Sequence, residues 1–255
     1  MKQFSYSRVS TYDMCKLKWF FNYIVKPEKT ADDFRVNHPL YLGILLEDIV
    51  KDGFNIASEN YYNNYPIINN EHVNEVLKAN HFALQIKELL KGYKSLEFEK
   101  EIATEQFIGY VDCLAENEDG TFDIIDFKYS NYHKNYEKSP QIHLYKYFIE
   151  NSEDIKIRKI MYFVAPKPYY KKDWEKTDEE NRELMLNKIR KYSVKVLDIE
   201  YNEQNALDFL DKVDEISEFH DEIVEKGNYE VIDRNKDYHC SFCDYREMCD
   251  RIKDL

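Results

Sequence analysis

Residues Gly109 to Lys128 read G-Y-V-D-C-L-A-E-N-E-D-G-T-F-D-I-I-D-F-K. Two strand-like runs flank Asn117-Glu118-Asp119-Gly120, a composition that favours a tight hairpin turn. Side chains two apart on a strand share a face. Asp126 and Lys128 therefore project together, while Ile125 and Phe127 face the other way. On the partner strand, Asp112 shares its face with Tyr110 and Leu114. Two carboxylates and one ammonium are thus carried on one side of an otherwise apolar hairpin. Charges beside Ile, Val and Phe are costly unless they pair or bind a metal. Taken alone, the hairpin leaves two readings open, a salt bridge at strand ends and a metal site.

The neighbouring segments give the hairpin a setting. Strand signals begin at Ser95 with L-E-F-E-K-E-I-A and run to Phe127. A polar loop, Tyr129 to Lys138, follows. Ser139-Pro140 then opens a helix that carries Gln141, Leu144, Tyr145 and Phe148, and Ile157 to Val164 reads as a further strand. The order strand, strand, strand, helix, strand indicates an α/β fold with a central mixed sheet and a crossover helix. Upstream, a helix is expected from Ser7 as N-cap to a point before Pro27, with Cys15 inside it. Ala31 to Asn37 reads as a loop. A second helix is expected from His38-Pro39, carrying Gly43, Leu46, Glu47, Val50 and Phe54; Gly43 and Glu47 share a face. A third is expected over Asn70 to Tyr93, with Gly92 as its stop. Downstream, Thr177 to Glu180 forms a capping-box pattern before a helix reaching Lys191. Val194 to Tyr201 suits an edge strand, and Asn205 to Lys226 a long helix ended by Gly227. Without repeats or a low-complexity linker, the expectation is one domain over 1–255. Its parts are N-terminal helices (1–93), a core (94–166) and a C-terminal helical part (167–255).

The chain of 255 residues has a formal net charge of −13, from 36 Lys plus Arg against 49 Asp plus Glu. Such acidity argues against nonspecific coating of nucleic acid, which needs a basic surface. It leaves room for a metal-dependent nuclease, whose centre needs local negative charge. There is no run of about 18 apolar residues, so no membrane-spanning helix is expected. The start M-K-Q-F-S-Y-S lacks the apolar core of a signal peptide, and a cytoplasmic location is the expectation. The five cysteines are Cys15, Cys113, Cys240, Cys243 and Cys249. An odd number in such a chain argues against a disulfide framework, and three within ten residues point to metal.

The hairpin G-Y-V-D…D-F-K, the upstream G-I-L-L-E and the downstream Q-I-H-L-Y together resemble the PD-(D/E)XK nuclease superfamily, and within it the RecB-like exonuclease branch. The resemblance covers almost the whole chain in the expected order. Two departures stand out: Glu47 occupies a place where many members have His, and no Pro precedes Asp112. The resemblance implies a restriction-endonuclease-like core and hydrolysis of DNA phosphodiesters with Mg²⁺ or Mn²⁺. Hard cations take carboxylate and carbonyl oxygens. Asp112, Asp126 and Glu47 are thus implied as metal ligands, with the Phe127 carbonyl as a further one. Lys128 would orient the attacking water and stabilise the transition state. Gln141 and Tyr145, four apart on one helical face, would position Lys128 or the substrate phosphate. Cys113 points away from Asp112 and reads as a core residue; Glu99 and Glu101 are weaker supporting candidates.

Cys240-x-x-Cys243-x5-Cys249 places three thiolates close together. A Cys3His zinc site completed by His239 is one reading. The other takes Cys15 as fourth thiolate, a set that suits a 4Fe–4S cluster. An N-terminal Cys joined to a C-terminal C-x2-C-x5-C resembles the iron–sulfur nucleases, which include AddB-type subunits and CRISPR adaptation-associated RecB-like exonucleases. There the cluster is a structural staple between chain ends.

Lys16, Lys18, Lys134, Lys138, Lys146, Lys167, Lys171 and Lys172, interleaved with Trp19, Tyr132, Tyr136, Tyr169 and Tyr170, are candidates for a confined basic stripe. Such a stripe would hold single-stranded DNA or a DNA end by phosphate contacts and stacking. A helicase or another DNA-processing protein is the expected partner. The competing readings are a non-catalytic binding module in a repair, replication or CRISPR adaptation assembly, and a sequence-specific restriction endonuclease.

Overall fold

The computed structural model describes residues 3–27, 35–235, 240–241 and 243–251. The chain divides into two compact units, one of residues 33–102 and 110–201, the other of 1–32, 103–109 and 202–255.

The larger unit is built on a five-stranded sheet. Its strands are β1 (Ser95–Ala103), β2 (Ile108–Glu116), β3 (Phe122–Tyr129), β4 (Ile157–Ala165) and β5 (Lys195–Ile199), in that spatial order. β2 pairs antiparallel with β3, β3 parallel with β4, and β4 antiparallel with β5. The mixed sheet expected from the element order is therefore present. The β2–β3 turn closes through the Asn117 N–H donating to the Thr121 carbonyl at 2.8 Å. Gly120 sits there at φ +80°, a left-handed backbone that glycine adopts without strain. Parallel strands cannot be joined by a tight turn, and α6 (Gln141–Ser152) makes the crossover, packing on β3 and β4. Pro140 holds the cap position of α6, one residue beyond the expected Ser139.

One face of the sheet is covered by α3 (Pro39–Lys51), α4 (Phe54–Tyr62) and α5 (Asn70–Leu90). Leu42, Leu45, Leu46 and Ile49 of α3, with Phe82 and Ile86 of α5, join Cys113, Ile125, Phe127 and Phe163 in one core cluster. Each such side chain buried contributes about 1.5–3 kcal/mol. Ile125 and Phe127 face this core, as the strand alternation requires. Ile124 and Asp126 fall on the opposite face, and both are fully buried. α7 (Asp178–Ile189) starts at the Thr177/Glu180 capping box read in the sequence. Phe54 does not belong to α3: Gly53, at φ +92°, ends that helix, and Phe54 begins α4.

The smaller unit contains α1 (Tyr6–Met14), α2 (Lys16–Phe20), a π-helical turn (Phe21–Val25), α8 (Gln204–Val224) and α9 (Arg246–Arg251). Its first helix differs from expectation in two ways. Ser5, not Ser7, caps it, its hydroxyl accepting from the Arg8 N–H at 3.2 Å. Cys15 is not inside a helix but at the junction of two, in extended backbone, its sulfur accepting from the Lys18 N–H at 3.5 Å. Trp19 is fully buried among Tyr12, Tyr23 and Phe219. Residues 31–34 of the expected loop, and His239, lie outside the described residues. Among the described residues, no helix is long and apolar enough to cross a membrane.

Candidate active site

The β2–β3 register runs from Cys113–Ile125 to Glu116–Phe122. Beyond it, Asp112 Oδ2 accepts a hydrogen bond from the Phe127 N–H at 2.6 Å. A side-chain carboxylate thus takes a bond where the ladder has stopped, and Asp112 is anchored on the backbone of β3.

Asp126 is fully buried. Its Oδ2 faces Lys128 Nζ in an ion pair, and among the described residues its Oδ1 accepts no hydrogen bond. Lys128 Nζ lies 5.7 Å from the ring centroid of Tyr162 and 6.0 Å from that of Tyr136. Glu47 reaches the same place from α3. Burial, with the Asp126 charge beside it, raises the Glu47 carboxyl to about 7, against the pull of Lys128. Burial raises Asp112 well above the usual carboxylate range, and Asp126 and Glu47 add to the effect. Burial also raises Asp126, although Lys128 opposes it. For Lys128, burial disfavours the charge, yet Asp126 and Asp112 outweigh it and hold the ammonium protonated.

Asp123, three residues earlier on β3, is equally buried and serves as an internal control. Its Oδ1 accepts from Arg158 Nε at 3.0 Å and Asn117 Nδ2 at 3.3 Å. Its Oδ2 accepts from Arg158 Nη2 at 2.6 Å and the Tyr93 hydroxyl at 3.0 Å. A buried carboxylate is expected to be satisfied in this way. Asp126 is not. Three carboxylates face one ammonium, all donors are hard oxygens, and one buried oxygen is left without a partner. That donor set fits a divalent hard cation. With Lys128 supplying the positive charge beside Asp126, no three His, Cys, Asp or Glu side chains among the described residues are drawn together tightly enough to hold an ion.

From α6, Gln141 Nε2 donates to the Tyr145 hydroxyl oxygen at 2.7 Å. Burial, then the charge of Asp126, raises Tyr145 and keeps it a protonated donor. Glu47, Asp112, Asp126, Lys128, Gln141 and Tyr145 are thereby gathered within the larger unit. Cys113 is a buried core residue, its thiol raised by burial to about 12. Glu99 forms an ion pair with Lys51 at 2.9 Å, and Glu101 accepts from the Tyr110 hydroxyl at 3.1 Å.

The candidate stripe is only partly free for a ligand. Trp19 is buried in the smaller unit's core and offers no stacking face. Lys146 bonds Glu150 and the Ile157 carbonyl, each at 2.7 Å, and Lys172 pairs with Asp178 at 2.7 Å. The Tyr170 hydroxyl donates to Asn181 Oδ1 at 2.9 Å. Tyr132 and Tyr169 are exposed. Sequence reasoning did not single out Tyr162. Its signal was the β4 run I-M-Y-F: parallel pairing sets Tyr162 against Asp126, beside Lys128.

In the smaller unit, Cys15, Cys240, Cys243 and Cys249 line a single cavity of about 340 Å³, with Lys18, Arg234 and Arg246 around it. All four thiols are free. Cys240 Sγ donates to the Asn235 carbonyl at 3.4 Å, and burial raises the Cys243 thiol. The four share a cavity without converging on one point.

A family model described as the PD-(D/E)XK nuclease superfamily matches residues 3–250. A search of curated proteins found no match. Among solved structures, a candidate exonuclease from Eubacterium rectale aligns with TM-score 0.56 at 12% identity, over 96% of this chain and 87% of its own. At that identity the likeness shows the fold alone. The structure of SSO0001 aligns at 13% identity over 92% of this chain and 93% of its own, with TM-score 0.34, too low to carry an argument.

Proposed function

The chain belongs to the PD-(D/E)XK nuclease superfamily, and from that premise we propose a Mg²⁺- or Mn²⁺-dependent deoxyribonuclease of the RecB-like branch, acting exonucleolytically on single-stranded DNA or DNA ends. The observation that carries the reading is Asp126: a fully buried carboxylate with an unpartnered oxygen, set between Asp112, Glu47 and Lys128. Glu47, Asp112 and Asp126, with the Phe127 carbonyl, would hold the ion. Bound there, a divalent cation supplies Lewis-acid stabilisation to the phosphoryl oxygens and acidifies water. The chain's own residues do the rest. Lys128, held protonated, orients the nucleophile and offsets the charge that grows on the phosphate. Gln141 fixes the Tyr145 hydroxyl, which stays a donor toward the same charge. Asp112, anchored on the Phe127 N–H, keeps its ligand geometry without help from the substrate.

The test is cleavage of end-labelled single-stranded, duplex and circular DNA with and without Mn²⁺. Asp126→Asn and Lys128→Ala are each expected to lose at least about 10³-fold in rate, the scale of removing one transition-state charge contact. Their circular dichroism should match the wild type. Wild-type cleavage by either variant would end the proposal. DNA binding without turnover by the wild type would instead indicate a binding module.

We assign a structural 4Fe–4S cluster to Cys15, Cys240, Cys243 and Cys249. Four free thiols around one cavity, with cationic neighbours to balance an anionic cluster, support the reading. Zinc needs four donors within about 2.3 Å of a single point, whereas a cluster spreads its irons and accepts ligands set farther apart. The expected partner is a helicase or another DNA-processing protein.

A further inference from the structure

Glu47, Phe127 and Lys128 line one end of a cleft of about 580 Å³ that continues past them, away from the rest of the catalytic set. One wall comes from α3. Leu42, Leu45, Leu46, Ile49 and Val50 of that helix are buried in the core, while Leu40 and Ile44 stand exposed on the stripe that leads to Glu47. Two adjacent exposed aliphatic side chains next to a charged centre are not explained by packing. Gly43 lies between them, and a Cβ added there would meet nothing within 4 Å. A glycine inside a helix costs about 0.5–1 kcal/mol relative to Ala, so here the missing side chain leaves room in the cleft and serves no contact.

The other wall comes from the loop after β3. Tyr132 is 76% exposed and lines the same cleft. Asn131 Nδ2 donates to the Lys167 carbonyl at 2.9 Å, and Asn131 Oδ1 accepts from the Lys167 N–H at 2.7 Å. That reciprocal pair ties the loop bearing Tyr132 to the segment bearing Lys167. Lys167 Nζ sits 4.9 Å from the Tyr129 ring centroid, and among the described residues no carboxylate lies within ion-pair distance of it. Burial lowers its affinity for a proton. A half-buried ammonium without an ion pair, beside an apolar slot with an exposed ring, is complementary to a phosphate followed by a base.

We propose that this cleft seats an unstacked nucleotide next to the scissile phosphate, its base against Leu40, Ile44 and Tyr132 and its phosphate on Lys167. The proposal rests on the nuclease reading above and sharpens its substrate class. A base can enter such a slot only when it is not stacked in a duplex, so the cleft selects single strands.

The test compares oligo(dT), the same strand annealed to oligo(dA), and a strand of equal length built from abasic tetrahydrofuran sites, a phosphodiester without a base or any aromatic ring. Loss of one base-stacking contact is worth about tenfold in affinity. Tyr132→Ala should raise KM for oligo(dT) about tenfold more than for the abasic strand, with Tyr132→Phe restoring it. Lys167→Gln should weaken oligo(dT) binding and reduce its salt dependence by about one counterion. Equal KM changes on both substrates, or duplex held as tightly as single strand, would overturn the cleft assignment. If the wild type hydrolyses neither substrate, the nuclease reading fails, and anisotropy with labelled oligo(dT) in EDTA still decides the cleft. Binding lost in Tyr132→Ala supports it, and binding retained overturns it.

Discussion

Two aspartates on β3, three residues apart, carry opposite duties. Asp123 is closed by Arg158, Tyr93 and Asn117 and holds the sheet together. Removing one partner of a buried ion pair costs about 3–5 kcal/mol. Arg158→Met should fall below that range, because the Arg158 side chain is 45% exposed and two neutral donors to Asp123 remain. Urea denaturation should show that loss while activity per folded molecule holds. Asp126 and its neighbours behave in the reverse sense. Glu47 titrates near 7 in the folded chain, above the ordinary carboxylate value, so the folded state keeps a proton that the unfolded state has released. Stability from this group is full below the unfolded value and falls as pH rises through about 7. Glu47→Gln should therefore raise the metal-free Tm at pH 8, with a smaller gain at pH 5. Added Mg²⁺ should stabilise the wild type and not the variant. The sequence shows Asp126 and Lys128 as a same-face pair because strand alternation is local. It cannot show which aspartate is satisfied, since Arg158 enters from β4, 35 residues on from Asp123.

At the scale of elements, α3 is the part that reads most directly from sequence and also the part with the most to test. Pro39 at its first turn and the Leu42–Leu46–Ile49 spacing place its core face without any knowledge of the sheet. The outward stripe of Leu40, Gly43 and Ile44 looks like imperfect amphipathicity until the cleft is seen. Gly43→Ala should raise stability by about 1 kcal/mol, a Tm gain of about 2–4 °C, and raise KM for oligo(dT). Thermal melts and steady-state kinetics on one preparation check both. Where the sequence misleads about the first helices, the cause is again distance. The break between α1 and α2 falls at Cys15, a residue with no intrinsic preference for ending a helix. The Leu17 N–H there donates at 3.0 Å to the carbonyl of Asp233, a partner more than two hundred positions away. The end of α3 escapes a sequence reading for a local reason: Gly53 takes a left-handed backbone that a helical period does not register.

For the molecule as a whole, the cysteine cavity sets a separate test. Anaerobically purified protein should carry about four irons and four acid-labile sulfides per chain. Cys15→Ser should lose most of the iron and melt at lower temperature; unchanged metal content would exclude Cys15 as a ligand. The smaller unit also has an unusual order of assembly. Trp19 packs on Phe219, Phe21 on Tyr245, and the Tyr245 hydroxyl bonds Asn22 Oδ1 at 2.7 Å. Each of these pairs joins an early residue to one made some two hundred positions later. At a synthesis rate of about 5–20 residues per second, the aromatic face of the first helices waits about 10–40 s on the ribosome for its counterpart. The nuclease sheet has all its strands by residue 199 and can fold in the meantime. A nascent chain of this kind carries a formed sheet while that aromatic face is still uncovered, and the emergence of Phe219 and Tyr245 is the moment at which the face ceases to be sticky.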